Sequence, residues 1–129
     1  MVKVTEEQAR LLKGRNFASV ATVGPDGIPQ VTPNWVDWDG ERVLINTAEG
    51  RVKPRNIRER PVISVLVINH DDPYQYVSIT GPAEISDDGA EEHINELSRR
   101  YYGRDFNYRQ GEKRLIVSVR PRRVFARGF

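Results

Sequence analysis

Gly50-Arg51-Val52-Lys53-Pro54-Arg55-Asn56-Ile57-Arg58-Glu59-Arg60-Pro61 packs five cations between two strand-like runs. Pro54 suits a first helical position, where a missing N–H costs nothing, and the residue before a proline is pushed to extended geometry, so Lys53 is expected at the helix start. Lysine caps poorly. The backbone N–H groups of Arg55 and Asn56 are therefore expected to lack a capping side chain, and the positive end of the helix to face whatever lies outside. A phosphate meets that need, with Arg51 and Lys53 adding full charges to the fixed dipoles. A short Arg-rich helix is also compatible with a solvated face. The position of this one, after one strand-like run and closed by Pro61 before Val62-Ile63-Ser64-Val65-Leu66-Val67, favours an anion cradle.

Upstream, Thr5-Glu6-Glu7-Gln8 is a capping-box pattern, and Ala9, Leu11 and Leu12 continue it as a short amphipathic helix that plugs one end of the core. Phe17-Ala18-Ser19-Val20-Ala21-Thr22-Val23 is β-rich, and Gly24-Pro25-Asp26-Gly27 is a strong turn before 28–36, so the two runs read as a hairpin. A second hairpin follows, with its turn near Asp37-Trp38-Asp39-Gly40 and its far strand over 42–47. Downstream of the basic turn come a strand over 62–69, the polar break His70-Asp71-Asp72-Pro73 and a long β-rich run over 75–85. Gly81-Pro82 inside that run predicts a bulge or bend. Asp87-Asp88-Gly89 opens the longest helical stretch, 90–102, with Ile94, Leu97 and Tyr101 along one face and Gly103 at its end. A polar, aromatic-dotted loop over 104–113 leads to closing strands at 115–119 and 124–126, around Pro121.

A chain of 129 residues is expected to form one domain, 1–129. It has no cysteine, which excludes disulfides, thiolate metal sites and thiol nucleophiles, and nothing argues for secretion. No basic segment followed by an apolar run opens the chain, and no apolar stretch approaches the roughly 18 residues that suggest a membrane span. The expectation is a cytoplasmic protein without a membrane partner or a metal. The net charge of +2 gives little support for nucleic acid, and the 16 arginines against 4 lysines suit planar, bidentate grips on phosphate or carboxylate.

Six or more strands with short turns, two or three helices and no internal repeat predict a mainly β, antiparallel barrel with helices at its ends. On pattern alone an oligonucleotide-binding barrel, a lipocalin-like can and a split barrel all remain open.

The order of motifs resembles the split-barrel flavin and deazaflavin reductases, the pyridoxamine-5'-phosphate-oxidase-like family. The residues that carry the resemblance are Ala18-Ser19-Val20-Ala21-Thr22, then Asp26-Gly27-Ile28-Pro29-Gln30, Pro33-Asn34-Trp35 and Ile45-Asn46-Thr47, and finally Arg51-Val52-Lys53-Pro54-Arg55-Asn56 leading to Arg60-Pro61. Within the family the chain is most similar to the short actinobacterial type that uses the deazaflavin coenzyme F420 in place of FMN. The resemblance implies an α+β fold built on a six-stranded antiparallel split β-barrel (an FMN-binding split barrel) with two to three helices. It also implies a homodimer with a cofactor in each of two clefts between protomers. It assigns Arg51, Lys53, Arg55 and Asn56 to the cofactor phosphate, in agreement with the cradle. It lays Gln30, Val31, Thr32, Pro33 and Asn34 along the ring system, with Asn46 and Thr47 at the strand end beneath it.

The implied chemistry is hydride transfer between F420 and a small, conjugated or aromatic substrate, performed by the cofactor, so no side chain is assigned as catalytic acid or base. His70 and His93 both read as solvated residues, and Tyr74 and Tyr76 as either a cleft wall or packing. FMN is the nearest alternative cofactor. F420 continues past its phosphate into an anionic tail, for which Arg58, Arg60, Arg120, Arg122, Arg123 and Arg127 offer cations that serve equally as surface charges. Two further readings are a non-catalytic flavin- or F420-binding protein and a nucleic-acid-binding barrel, the latter suggested by Arg99-Arg100 and Arg122-Arg123 interleaved with Tyr101, Tyr102, Phe106, Tyr108 and Phe125. Tyr101 is needed on an apolar helix face and the charge excess is small, so no nucleic-acid partner is expected.

Overall fold

Alternating apolar residues place strands along most of this chain, and in the computed structural model they join one antiparallel sheet. The structure describes residues 2–107 and 111–129, so Tyr108 and the middle of the loop read over 104–113 lie outside the described residues. The described elements are α1 (Glu6–Lys13), β1 (Phe17–Val23), β2 (Pro29–Trp35), β3 (Asp37–Trp38), β4 (Val43–Ala48), α2 (Val52–Glu59), β5 (Val62–Asn69), β6 (Asp72–Ser86), α3 (Ala90–Tyr102), β7 (Arg114–Val119) and β8 (Arg123–Arg127).

The sheet has eight strands among the described residues rather than the six expected, in the order β2-β1-β5-β6-β7-β4-β3 with β8 paired to β6. The six implied by the resemblance leave out β3, which is only two residues long, and one of the seven runs that the residue pattern already marks; the last of those runs, 124–126, pairs as β8. The outermost strands, β2 and β3, are consecutive in the chain and are separated only by the fully buried Val36. The sheet therefore curls until its two edges meet at one residue, an arrangement consistent with a split barrel. Its inside is filled by Val20, Val36, Val43, Ile45, Val65, Val67, Val77, Ile79, Val117 and Val119, and Leu11 and Leu12 of α1 pack into the same core.

Other boundaries follow the chain's punctuation. Thr5 caps α1, its hydroxyl accepting from the Gln8 N–H while the Gln8 side chain accepts from the Thr5 N–H. Phe17 pairs with Trp35 and Val23 with Pro29, as the first hairpin requires. The second hairpin joins β3 to β4, so Asp37 and Trp38 are strand residues and the turn falls at 39–42, where Asp39 Oδ1 accepts from the Glu41 and Arg42 N–H groups.

The expected irregularity at Gly81-Pro82 takes another form. No register shift occurs there; the shift lies between Ile68 and Asn69. Instead β6 exchanges one neighbour at this point, pairing with β8 over 76–80 and with β7 over 83–86. The link between β7 and β8 presses against the switch, where an ideal Cβ on Gly81 would lie 1.8 Å from the Arg120 carbonyl oxygen. Only a residue without a side chain leaves room for Arg120 N–H to reach Pro82 O at 3.0 Å and Arg122 N–H to reach Thr80 O at 2.9 Å.

The basic helix also differs from its reading. Helix α2 begins at Val52 with Arg51 as its cap, so Pro54 is the third helical residue and not the first. The physical reason is that every N–H of the opening turn lacks an intrahelical acceptor, so a proline fits at any of these positions. The Arg55 and Asn56 N–H groups then lie within the hydrogen-bonded helix, and the free donors are those of Arg51, Val52 and Lys53. Arg51 makes no side-chain cap.

Candidate functional site

The start of α2 is fixed against the barrel by residues that point inward. Ile57 is buried in the core, the Asn56 amide Nδ2 donates to Thr22 Oγ1 of β1 at 3.1 Å, and Arg60 Nε donates to Val23 O at 2.6 Å. Arg58 forms a two-pronged pair with Glu49, at 2.6 and 2.9 Å. Arg58 and Arg60 are thus engaged in holding the helix. Asn56, expected at a phosphate, is buried beneath the helix with its amide bonded to β1.

The cations that remain outward are Arg51, Lys53 and Arg55. Lys53 Nζ donates to Asn34 Oδ1 of β2 at 2.7 Å, and Thr32 Oγ1 lies 3.5 Å from the same oxygen. Lys53 makes no ion pair with any carboxylate among the described residues. Burial, and after it the neighbouring Arg51 charge, pushes its ammonium down to a pKa of about 8. Two cations that repel each other, beside uncapped helix N–H groups, form a site electrostatically complementary to an oxyanion.

On β2 the side chains alternate. Gln30, Thr32 and Asn34 lie on the half-buried face that Lys53 approaches, while Val31, at 62% exposure, and Pro33 lie on the outer face. Asn34 and Thr32 are thereby joined to the cradle.

Asn46 and Thr47 are buried on β4. Asn46 is engaged on every side: Nδ2 donates to Ala90 O at 2.9 Å and approaches His93 Nδ1 at 3.1 Å, and Oδ1 accepts from Arg114 Nε at 2.9 Å. It organises the strand end from beneath.

That amide belongs to a buried network that the residue pattern did not reveal. Arg114, with its side chain 3% exposed, meets Glu112 at 2.5 Å, and the same Glu112 oxygen accepts from Arg51 at 3.3 Å. In the other direction His93 Nε2 lies 3.3 Å from Asp37 Oδ2, and Asp37 Oδ1 accepts from Arg100 at 3.0 Å. His93, read as solvated, is buried because the face of α3 that carries it packs on β4. Burial alone would raise the Asp37 pKa, but contacts from His93, the Trp38 N–H and Arg100 outweigh it and hold the group at about 2. Arg114 at the head of an apolar strand was the available signal, since a charge there must be paired inside. The partners of His93 are too distant in sequence to be read.

Comparison with known proteins gives a consistent picture. The family profile described as "Pyridoxamine 5'-phosphate oxidase" matches residues 4–128. A solved structure described as an F420 reductase shares 34% identity with the chain, covers 95% of it and 98% of its own length, and superposes with a TM-score of 0.83. A conserved hypothetical protein from Mycobacterium tuberculosis shares 26% identity over 98% of this chain and 86% of its own, at a TM-score of 0.78. A putative pyridoxamine 5'-phosphate oxidase from Listeria innocua, at 19% identity, covers 94% of each chain at a TM-score of 0.71 and shows the shared fold.

Proposed function

The chain belongs to the pyridoxamine 5'-phosphate oxidase family, and from that premise we propose that it is an F420-dependent oxidoreductase whose cradle holds the phosphate of the coenzyme. The observation that carries this reading is Lys53, a half-buried cation with no carboxylate partner among the described residues, tied to β2 and set beside Arg51 at an uncapped helix start. The deazaflavin, when bound, supplies hydride transfer to or from a small conjugated or aromatic substrate. Arg51, Lys53 and Arg55 hold the phosphate by charge, and the free N–H groups of the first turn add directed dipoles. Gln30, Thr32 and Asn34 line the ring with their side chains, and Val31 and Pro33, whose side chains point to the outer face, line it with their backbone. Asn46, Thr47 and Asn56 act from below, fixing β4 and α2. The 34% identity to an F420 reductase favours F420 over FMN; FMN and a purely binding role stand as the alternatives.

The same reading includes a homodimer. The outer face of the sheet carries Val31 of β2, Leu66 and Ile68 of β5, Tyr76 of β6 and Phe125 of β8, with Phe125 56% exposed. An apolar face of this kind, built by four strands of the sheet, suits burial against a second copy about a two-fold axis. We place the protein in the cytoplasm, where a chain without cysteine needs no oxidising environment.

The test is a side-by-side titration of the protein with F420 and with FMN, followed by quenching of Trp35 and Trp38 fluorescence. Tighter binding of F420 is expected. Preference for FMN moves the protein to the flavin branch, and binding of neither overturns the cofactor reading.

A further inference from the structure

Around Trp35 the aromatic residues leave a cleft of about 520 Å3 that shares no lining residue with the cradle. Its floor is rigid. Tyr101 stacks on Trp35 with centroids 5.2 Å apart and 11° between the planes. The Tyr101 hydroxyl donates to Asn16 O at 2.5 Å and accepts from the Val36 N–H at 3.3 Å, so neither ring can turn away. The walls are Phe17 and Tyr102, residues 53% and 67% exposed in the single chain. Tyr102 stands edge-on to Trp35 at 5.3 Å and 78°. Exposed rings converging over a fixed aromatic floor favour a flat conjugated guest, because stacking adds to area burial and the lining needs little ordering to receive it. The volume suits a ligand of two fused rings with a short substituent.

Charge at the mouth selects among such guests. Arg15, His70 and Asp71 line the opening. Arg15 makes no ion pair or hydrogen bond among the described residues, Asp71 included, so its guanidinium is available. A second guanidinium, that of Arg104, lies 5.7 Å over the Tyr102 ring. The unpaired Arg15 guanidinium presents a planar fork that matches a carboxylate or sulfonate, and Arg104, outside the lining, adds positive charge nearby.

We propose that this cleft is a second ligand site, one that takes a planar two-ring aromatic bearing a single carboxylate or sulfonate. The rings are held by Phe17, Trp35 and Tyr102 and the anionic group by Arg15. The site stands independently of the cofactor cradle.

The probe is 2-naphthoate, with the uncharged 2-naphthamide as its isostere, followed by quenching of Trp35 in a Trp38→Phe background whose fold is checked by circular dichroism. Saturable binding of naphthoate is expected, with naphthamide about tenfold weaker. Arg15→Gln should bring naphthoate down to the affinity of the amide, and Tyr102→Ala should weaken both ligands by about tenfold. Lys53→Ala should leave naphthoate binding unchanged. Equal affinity for the two probes, indifference to Arg15→Gln, loss of binding in Lys53→Ala, or no saturable quenching would each overturn the proposal.

Discussion

Lys53 Nζ donates to Asn34 Oδ1 at 2.7 Å, so a cation at the helix start is fastened to the edge strand beside it. The tie costs the ammonium part of its hydration without giving it a counter-charge, which is why an arriving phosphate is favoured there. Replacing Lys53 with Ala is expected to weaken F420 binding by about 1.5–3 kcal/mol, the range for a hydrogen bond to a charged group, without lowering unfolding stability, because relief of a cation that burial penalises offsets the lost bond to Asn34. Cofactor titration and urea unfolding of the same preparations separate the two effects; unchanged affinity would remove Lys53 from the phosphate site.

Its depressed pKa gives this contact a pH signature. An anion prefers the protonated ammonium, so affinity should be full at neutral pH and fall as pH rises through about 8. Folding runs the other way: the lysine pKa is lower in the folded protein than in the unfolded chain, so its penalty is greatest below 8 and fades as pH rises from about 8 toward the ordinary lysine value of 10.5. Lys53→Arg, charged throughout this range, should abolish the break in a plot of log Kd against pH.

Asp37 is the acid counterpart. Held at about 2 against an ordinary 3.8, it contributes stability that is fully present above 3.8 and is lost as pH falls from there through about 2. Asp37→Asn leaves Arg100 and His93 without their carboxylate and is expected to lower stability at neutral pH by about 2–4 kcal/mol. Chemical unfolding at pH 7 measures the loss, and the variant should show a shallower decline between pH 4 and 2 than the parent chain.

Gly81 tests the neighbour exchange in β6. With the Arg120 carbonyl oxygen 1.8 Å from an ideal Cβ, Gly81→Ala must push the β7–β8 link away or break the Arg120–Pro82 bond. A loss of about 1–3 kcal/mol in unfolding free energy is expected, the scale of overpacking a tight site.

Charging the outer face tests the dimer. Ile68→Asp combined with Phe125→Asp should give a folded monomer by light scattering and circular dichroism, and F420 affinity should fall with the loss of the partner's cleft wall. A parent chain that is itself monomeric would remove the two-copy cleft from the proposed function.

Much of this architecture was legible because the chain marks it locally. Gly24-Pro25-Asp26-Gly27 fixed the first hairpin, and Asp87-Asp88-Gly89 with Gly103 bracketed α3 at its observed ends. The start of α2 was misplaced because Arg51 is a cap without a capping side chain and therefore carries no sequence signal. Strand β3 escaped because two residues make no alternation, and its pairing depends on β4 being held by β7. The cradle cations were readable as a charge run, whereas the inward roles of Asn46, Asn56 and His93 depend on partners far away in sequence.

The pairing of Ile45 with Val117 also bears on how the chain acquires its shape. Strand β4 is made well before β7, which covers its length. Until then, among the described strands, its backbone has only the two-residue β3 to pair with. Folding is therefore expected to be limited by this late closure and to be slow for a chain of its size, and a nascent protein stalled before Arg114 would present 43–48 as an open edge for wrong partners.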